Sequence, residues 1–236
     1  ASFDRPDEDF ETNAYGTLNI AKAMLEENVK RIIFASSMTI YGLVKEEDLP
    51  VKEEHPLHPI SPYGATKLFA ERLLFSYGAN KKINPFVIRG FNVYGPRQRL
   101  DNPEQGVLGI FMGNVLNNKK IKIFGDGNQT RDFIHIDDIL DLMFHGLHTD
   151  ISIALNGGTG NDISINDLAK IVQDKFGRRV GVEYLTPRIG DQRYMVADMT
   201  KAKEIFNWTP KIKFSEGLDT TVKWVKENSK NGGDDN

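Results

Sequence analysis

Hydrophobic residues follow helical spacing and short continuous runs in alternation along the first part of the chain. Apolar positions spaced as on one helix face, without a proline after Pro6, predict a helix over about residues 8–28. A nearly continuous apolar run at 31–35 predicts a strand buried on both faces, as in a parallel sheet. A serine followed by proline at 61–62 predicts the N-cap and first turn of a helix that continues to about residue 78.

The same alternation continues beyond this helix. A strand is predicted at 85–89, a helix from Asp137 through Phe144, and a further strand at 151–155. Strands that alternate with helices form parallel sheets with right-handed crossovers. The chain is therefore predicted to be an α/β protein built on a parallel sheet.

Two segments do not extend this sheet and predict a second, smaller lobe. The first is an insertion that contains a predicted helix near 106–116 and a strand at 121–124, and the second is the chain after Gly157. The last eight residues are polar and glycine-rich, which predicts a frayed tail. The predicted division is a sheet domain of residues 1–96 and 129–157, a smaller lobe of residues 97–128 and 158–228, and a tail of residues 229–236.

The composition narrows the class of ligand. A chain of 236 residues, 39% of them hydrophobic, suffices for one domain with a small lobe, and its formal charge of −3 provides no basic surface for nucleic acid. No apolar run approaches the roughly 20 residues that span a membrane. The acidic start is not a signal peptide, and the lack of cysteine fits a reducing compartment. We therefore expect a cytoplasmic protein with a small soluble ligand.

A tyrosine and a lysine within the helix predicted from 61 are the first candidates for chemistry. Tyr63 and Lys67 are four residues apart and so share one face of a helix. A nearby ammonium stabilises phenolate and lowers a tyrosine pKa from its usual value of about 10, which suits a general acid/base. The same spacing occurs at 41–45 and 77–81, but only this pair lies inside a capped helix. A surface tyrosine beside a solvated lysine is the alternative interpretation.

A serine-rich segment at 35–42 ends the first predicted strand. Ligands of doubly wound sheets bind at the carboxyl ends of strands, and hydroxyl groups there can relay a hydrogen bond between a substrate oxygen and the phenol of Tyr63. A pair of serines that bind only the backbone of the turn is the alternative.

Five motifs occur in a fixed order along the chain. They are the serine-rich strand end closing on Tyr41-Gly42, and the segments Ser61–Lys67, Arg89–Arg97, Gly125–His135 and Gly190–Gln192. Together they resemble the NAD-dependent epimerase/dehydratase family, the extended short-chain dehydrogenases. The resemblance covers essentially the whole chain and implies a Rossmann-like doubly wound sheet with a smaller C-terminal substrate-binding lobe.

The resemblance implies roles for individual residues. Ser37 takes the position of the catalytic serine, Tyr63 that of the acid/base, and Lys67 that of the residue that binds the nicotinamide ribose and lowers the tyrosine pKa. Met195 falls near the position that limits bulk around the sugar. The implied contacts to NAD are Asn13, Ala35, Ser36, Tyr63, Lys67 and Phe91, although a core phenylalanine would look the same at 91. The implied contacts to a nucleotide sugar are Ser37, Thr39, Tyr63, Asn92, Leu108, Lys122, Phe124, Arg131, Arg188 and Asp191.

Among these contacts, the resemblance assigns five residues to the nucleotide diphosphate part of the substrate. Arg131 and Arg188 stand at the pyrophosphate positions, Asp191 at the ribose, Phe124 at the base and Asn92 at the sugar-phosphate. For either arginine alone, a solvated surface charge is the alternative.

The two residues after Ser37 narrow the subfamily. Dehydratases of the family carry a glutamate there, often preceded by aspartate, and this chain has Met38 and Thr39. Neither side chain supplies the extra acid and base that loss of water requires. The pattern is similar to that of UDP-galactose 4-epimerases, which implies transient oxidation at C4 by NAD and reduction on the opposite face. A cofactor-free nucleotide-sugar-binding module or pseudoenzyme, and a related reductase or CDP-sugar 2-epimerase, are the alternatives.

The glycine-rich dinucleotide turn with which the family begins does not occur in this sequence. We therefore expect a fragment of a longer protein, in which about the first four strands are missing. The family also implies a homodimer formed through the helices at about 8–28 and 61–78. The run of aspartates between 126 and 141 fails the EF-hand pattern, so no metal is predicted, and Asp137 or Asp138 is expected to cap a helix instead.

Overall fold

A computed structural model describes residues 2–101, 106–188 and 190–228; the predicted tail at 229–236 lies outside the described residues. A π-helical turn, Phe10–Tyr15, joins α1 to α2, so the first helix is nearly continuous, as predicted. The helices are α1 (Pro6–Asp9), α2 (Gly16–Glu26), α3 (Pro62–Ala79), α4 (Val107–Leu116), α5 (Ile136–Leu147), α6 (Ile165–Phe176), α7 (Thr200–Phe206) and α8 (Phe214–Asn228). The strands are β1 (Arg31–Ser37), β2 (Asn84–Gly90), β3 (Val93–Tyr94), β4 (Ile121–Phe124), β5 (Thr130–Asp132), β6 (Ile134–His135), β7 (Ile153–Gly157), β8 (Asp162–Ser164) and β9 (Val182–Leu185).

The main sheet is parallel and runs in the order β1, β2, β7. Ser37 pairs with Gly90, and Gly90 pairs with Gly157, so the three strands end at the same edge. The predicted Rossmann-like parallel sheet is confirmed. Strand β7 begins two residues later than predicted. The backbone N–H of Ile151 donates to the Thr149 hydroxyl (3.3 Å) instead of to a neighbouring strand.

The middle strand of this sheet forms the core. Phe86, Val87 and Ile88 are fully buried, as expected for a strand covered on both faces. One core cluster joins Phe86 and Ile88 to α5 and to Ala202 and Trp208. Helix α7, which the predicted division assigns to the smaller lobe, therefore packs against the main sheet. The division itself remains a prediction.

The caps of two helices show where local prediction succeeded and failed. Ser61 caps α3 as predicted, since its Oγ accepts a hydrogen bond from the Gly64 N–H (3.1 Å). The predicted aspartate cap of α5 is wrong. His135 is the cap residue, and its Nδ1 accepts from the Asp137 N–H (3.2 Å). Asp138 is buried and accepts from two backbone N–H groups of residues 211–212, far along the chain.

The smaller lobe has its own core. Helices α4, α6 and α8 pack around β4 through a cluster that includes Phe111, Ile123, Leu168 and Leu218. Strand β4 pairs in parallel with β9, and β5 pairs antiparallel with β8. The predicted helix and strand of the insertion are confirmed.

Candidate active site

The catalytic candidates lie where β1 ends against the start of α3. The Oγ atom of Ser37 accepts hydrogen bonds from the N–H (3.2 Å) and the hydroxyl (3.0 Å) of Thr39. A serine hydroxyl has two lone pairs and one hydrogen, so these two bonds leave the hydrogen free to be donated. Ser37 also interacts with the phenol of Tyr63 and acts to lower its pKa. Ser37 is therefore placed to donate to the phenol oxygen, which favours the phenolate form.

The pKa of Tyr63 is nevertheless raised from its ordinary value. Burial is the largest cause, the hydrogen bond with Ser37 opposes it, and the carboxylate of Asp9 adds to it. The predicted fall of this pKa under the influence of Lys67 is therefore wrong for the chain in this structure. The physical reason is that the ammonium of Lys67 donates to the carbonyl of Ala35 (3.2 Å) and lies 5.8 Å from the centre of the tyrosine ring. Burial also lowers the pKa of Lys67 itself.

Asp9 is held beside this pair by a short chain of hydrogen bonds. The Ser2 hydroxyl donates to Asp9 (2.6 Å) and accepts from the backbone N–H of Tyr63 (2.8 Å). The negative charge of Asp9 raises the pKa of both Tyr63 and Lys67. The start of the chain thus bears on the acid/base pair, which sequence spacing could not indicate.

Replacing Asp9 with asparagine is expected to lower the pKa of Tyr63, because the substitution removes a negative charge that favours the protonated phenol. The amide oxygen still accepts from Ser2, so the local structure is kept. The titration of Tyr63, followed by ¹³C NMR of ring-labelled tyrosine, should have its midpoint at lower pH in the variant. Asp7→Asn, an exposed carboxylate in the same helix, serves as the control. An unchanged midpoint in Asp9→Asn contradicts the assignment.

Among the predicted cofactor contacts, Asn13 lies beside the catalytic candidates, whereas Ser36 and Phe91 are buried. Asn13 donates to the Thr66 hydroxyl (3.2 Å), one turn along α3 from Tyr63, and so lies beside the site. The Ser36 hydroxyl donates to the buried carboxylate of Glu71 (3.0 Å) and faces the interior. Phe91, the third of these residues, has a side chain that is completely buried in the core with Tyr41 as a neighbour, and its contact with the cofactor remains a prediction.

Most of the predicted nucleotide-sugar contacts come together in one cleft of about 240 Å³ in the smaller lobe. Arg131 is 12% exposed and forms an ion pair with Asp191 (2.6 Å). The guanidinium of Arg188 lies 3.8 Å from the centre of the Phe124 ring. The predicted residues that line the cleft are Asn92, Lys122, Phe124, Arg131, Arg188 and Asp191.

The electrostatics of this cleft suit an anion. Burial lowers the pKa of Arg131, and the carboxylate of Asp191 opposes this shift. The guanidinium of Arg131 is therefore partly desolvated, and Asp191 compensates part of its charge. Arg131 also donates one N–H to the carbonyl of Thr130 (2.7 Å), and a guanidinium carries five N–H donors in total. Donors therefore remain for a second acceptor. Arginine forks of this kind match phosphate geometry.

Two predicted residues lie elsewhere, and one polar side chain that lines the cleft was not predicted. Leu108 does not line the cleft because its side chain is buried in the lobe core; the neighbouring Val107 lines it instead. Met195, predicted near the sugar, is 3% exposed and packs in the core. Gln129 lines the cleft and donates to the carbonyl of Phe124 (2.7 Å). Its place inside the motif 125–135 was the available signal.

Asn92 connects the cleft with the catalytic candidates. It follows β2 by two residues, and its amide nitrogen donates to the carbonyl of Asp132 (2.8 Å). The same nitrogen lies 3.8 Å from the sulfur of Met38, which directly follows Ser37. A ligand in the cleft can therefore extend past Asn92 to the Ser37 and Tyr63 hydroxyls.

Two further findings concern other classes of site. Within residues 2–101, 106–188 and 190–228, no group of three or more histidine or acidic side chains is arranged to hold a metal ion. In the same ranges, every helix is too short or too polar to span a bilayer.

A family model described as GDP-mannose 4,6 dehydratase matches residues 1–221. The chain belongs to the NAD-dependent epimerase/dehydratase family of extended short-chain dehydrogenases. It is 38% identical over 232 residues to UDP-glucuronate 4-epimerase of Thermodesulfobacterium geofontis, which covers 97% of this chain and 69% of that protein. The predicted family is therefore confirmed.

Solved structures agree in fold. UDP-glucose 4-epimerase of Thermotoga maritima with UDP-glucose has a TM-score of 0.91 and 35% identity, covering 97% of this chain and 74% of that one. UDP-glucose 4-epimerase of Thermus thermophilus in complex with NAD has a TM-score of 0.84 and 31% identity, covering 92% and 70%. Similar structures of the family are NAD complexes, which confirms NAD as the cofactor of the family.

Proposed function

We propose that this chain carries the catalytic and nucleotide-sugar sites of an NAD-dependent UDP-hexose 4-epimerase. The observation that carries the proposal is that Ser37 and Tyr63 lie together and are connected, through Met38 and Asn92, to a cleft that holds a partly buried arginine. Relatives at 34–38% identity with epimerase names support the same reaction class.

The surroundings of Ser37 favour epimerisation over dehydration. The sulfur of Met38 contacts the amide of Asn92, and the hydroxyl of Thr39 donates to Ser37. Neither group can act as the additional acid or base at neutral pH that elimination of water requires. Although the matching family model is named for a dehydratase, the residues after Ser37 lack the carboxylate for that reaction.

The residues present fit the ribose and nicotinamide end of NAD. Lys67 is a half-buried ammonium with one of its three donors on the carbonyl of Ala35, and the other two suit the neighbouring hydroxyls of a ribose. Asn13, on the facing helical turn, lies beside them. When bound, NAD accepts a hydride from C4 of the sugar and returns it.

Tyr63 is the proposed acid/base. It takes the proton of the 4-hydroxyl as C4 is oxidised and gives a proton back to the 4-keto oxygen as C4 is reduced. Ser37 is placed to hold the sugar oxygen and to donate to the phenol. The 4-keto sugar turns over in the cleft between the two steps, so that reduction occurs on its other face and no net oxidation results.

The cleft is the proposed site of the nucleotide diphosphate. Arg131 and Arg188 balance the charge of the pyrophosphate. Asp191 accepts from Arg131 on one oxygen, and the other, which has no hydrogen-bond partner among the described residues, can accept from a ribose hydroxyl. The Phe124 ring offers a face on which the base can stack. Asn92 stands between the pyrophosphate and the sugar.

A homodimer is part of the proposal. The first helical segment and α3 expose several large hydrophobic side chains, each about half exposed: Phe10, Tyr15, Ile20 and Phe69. An exposed apolar surface of this kind is typical of an interface between subunits. The mass in solution, measured by light scattering, tests this part of the proposal.

Incubation of the chain with NAD and separate UDP-sugars tests the proposed function. Interconversion of UDP-glucose and UDP-galactose, or of the corresponding glucuronate or N-acetylglucosamine pair, is the expected result, with products identified by NMR. Titration calorimetry with UDP-sugar and NAD separately distinguishes the alternatives. Binding of UDP-sugar without NAD supports a binding module, and a product altered at C2 or a net reduced sugar supports the related enzymes.

A further inference from the structure

The end of β1 contacts α3 through the three consecutive residues at 35–37. Ala35 contacts Lys67 and Ser37 contacts Tyr63, as described above. The middle residue, Ser36, donates its hydroxyl to Oε2 of Glu71 (3.0 Å). The three partners on α3 are each four residues apart, so they lie along one side of the helix. Glu71 therefore makes one of three contacts between β1 and α3, and the reactive residues Tyr63 and Lys67 make the other two.

Glu71 is held in turn by a buried arginine. The Glu71 and Arg89 side chains are only 2% and 6% exposed, and Arg89 pairs with both carboxylate oxygens, its Nε donating to Oε2 at 3.3 Å. Its Nη1 donates to the Tyr41 hydroxyl (3.0 Å) and to the carbonyl of Glu53 (2.8 Å). Strand β2, the turn after β1 and helix α3 are therefore joined at one buried point.

Stability alone is a weak reason for such a pair. Replacing a buried ion pair with apolar side chains of similar volume is often neutral or stabilising, whereas removing one partner is strongly destabilising. Geometry is a stronger reason. A catalytic group that moves by about 1 Å can lose about 10²-fold in rate.

We infer that Glu71 and Arg89 are positioning residues, which hold helix α3 against the end of β1 and keep the Tyr63 phenol on the serine hydroxyl. The inference rests on the proposed function, because acid/base chemistry is what gives this placement a catalytic consequence. Neither residue is among those that line the nucleotide-sugar cleft. Their effect is expected in turnover and not in binding of the UDP-sugar.

The double variant Glu71→Met with Arg89→Met tests the inference. Two methionines fill the space without leaving an unpaired charge, so the variant should fold. Its melting temperature should fall moderately, because the Ser36 hydroxyl and the Glu53 carbonyl lose a hydrogen-bond partner. A merely structural pair would then leave catalysis intact. We expect kcat to fall by about 10- to 100-fold with little change in KM, because the phenol is no longer held in place.

A second measurement does not depend on turnover. With ¹³Cζ-labelled tyrosine, the Tyr63 resonance, assigned by its loss in Tyr63→Phe, should be displaced at neutral pH in the double variant. Leu168→Ala, in the core of the smaller lobe, is the control. It should lower the melting temperature and leave this resonance and kcat unmoved.

A displaced resonance together with a reduced kcat supports the inference, and an unmoved resonance or a parental kcat overturns it. If the unmodified chain turns over no nucleotide sugar, the proposed function fails, and the Tyr63 resonance alone then decides the positioning. If the double variant does not fold, Ser36→Ala replaces it, since it removes only the middle contact. Displacement of the Tyr63 resonance in that variant supports the inference, and an unmoved resonance overturns it.

Discussion

Tyr63→Phe should lose nearly all turnover while it still binds UDP-sugar. The substitution removes one oxygen and keeps the ring, so packing around α3 is preserved, and proton transfer by a positioned side chain contributes about 10²–10⁴-fold to the rate. We expect kcat to fall by a factor in that range, measured on the UDP-sugar pair that the chain interconverts. The affinity for the UDP-sugar, measured by calorimetry, should remain close to that of the parent because the cleft residues are untouched.

The same helix contains the matched control. Tyr77 and Lys81 repeat the spacing of Tyr63 and Lys67, but Tyr77 lies in the last turn of α3 and Lys81 lies beyond the end of the helix. Tyr77→Phe should therefore leave kcat unchanged. A Tyr63→Phe variant that retains more than about a tenth of the parental kcat, well above the range for loss of an acid/base, contradicts the proposed role.

Arg131→Met should lose affinity for UDP-sugar by about 10- to 100-fold, because a hydrogen bond to a charged group contributes about 1.5–3 kcal/mol. Arg131 is only 12% exposed, so water screens its charge poorly and a bound pyrophosphate would gain from it. Its removal also leaves Asp191 without a cation, which adds repulsion toward an anionic ligand. Calorimetric titration with UDP, without NAD, measures the loss apart from any catalysis.

Arg193 provides the control for charge. It also pairs with a carboxylate, that of Asp126 (2.7 Å), but both partners are about half exposed. Exposed ion pairs contribute about 0–1 kcal/mol, so Arg193→Met should change the affinity little. Equal losses of affinity in the two arginine variants would mean that net charge, and not the position of Arg131, governs binding.

Local patterns predicted much of the framework. The serine cap and proline of α3 and the insertion helix each depend on a few neighbouring residues. The predicted burial of β1 on both faces is wrong, because only Ser36 of that strand is buried. The order of the motifs also predicted the family, and most of the residues assigned to the nucleotide sugar line one cleft. The helix predictions held because helical periodicity and capping depend on interactions within one or two turns of chain.

The sequence by itself therefore determined the parallel α/β fold, the family and the pairing of Tyr63 with Lys67 on one helix. Only the tertiary structure decided that Phe91 and Leu108 are buried, that Arg131 pairs with Asp191, and that α7 packs on the main sheet. It also decided the direction of the Tyr63 pKa, because burial outweighs the local hydrogen bond. Desolvation and pairing depend on groups that are distant in sequence, so no local pattern could contain them.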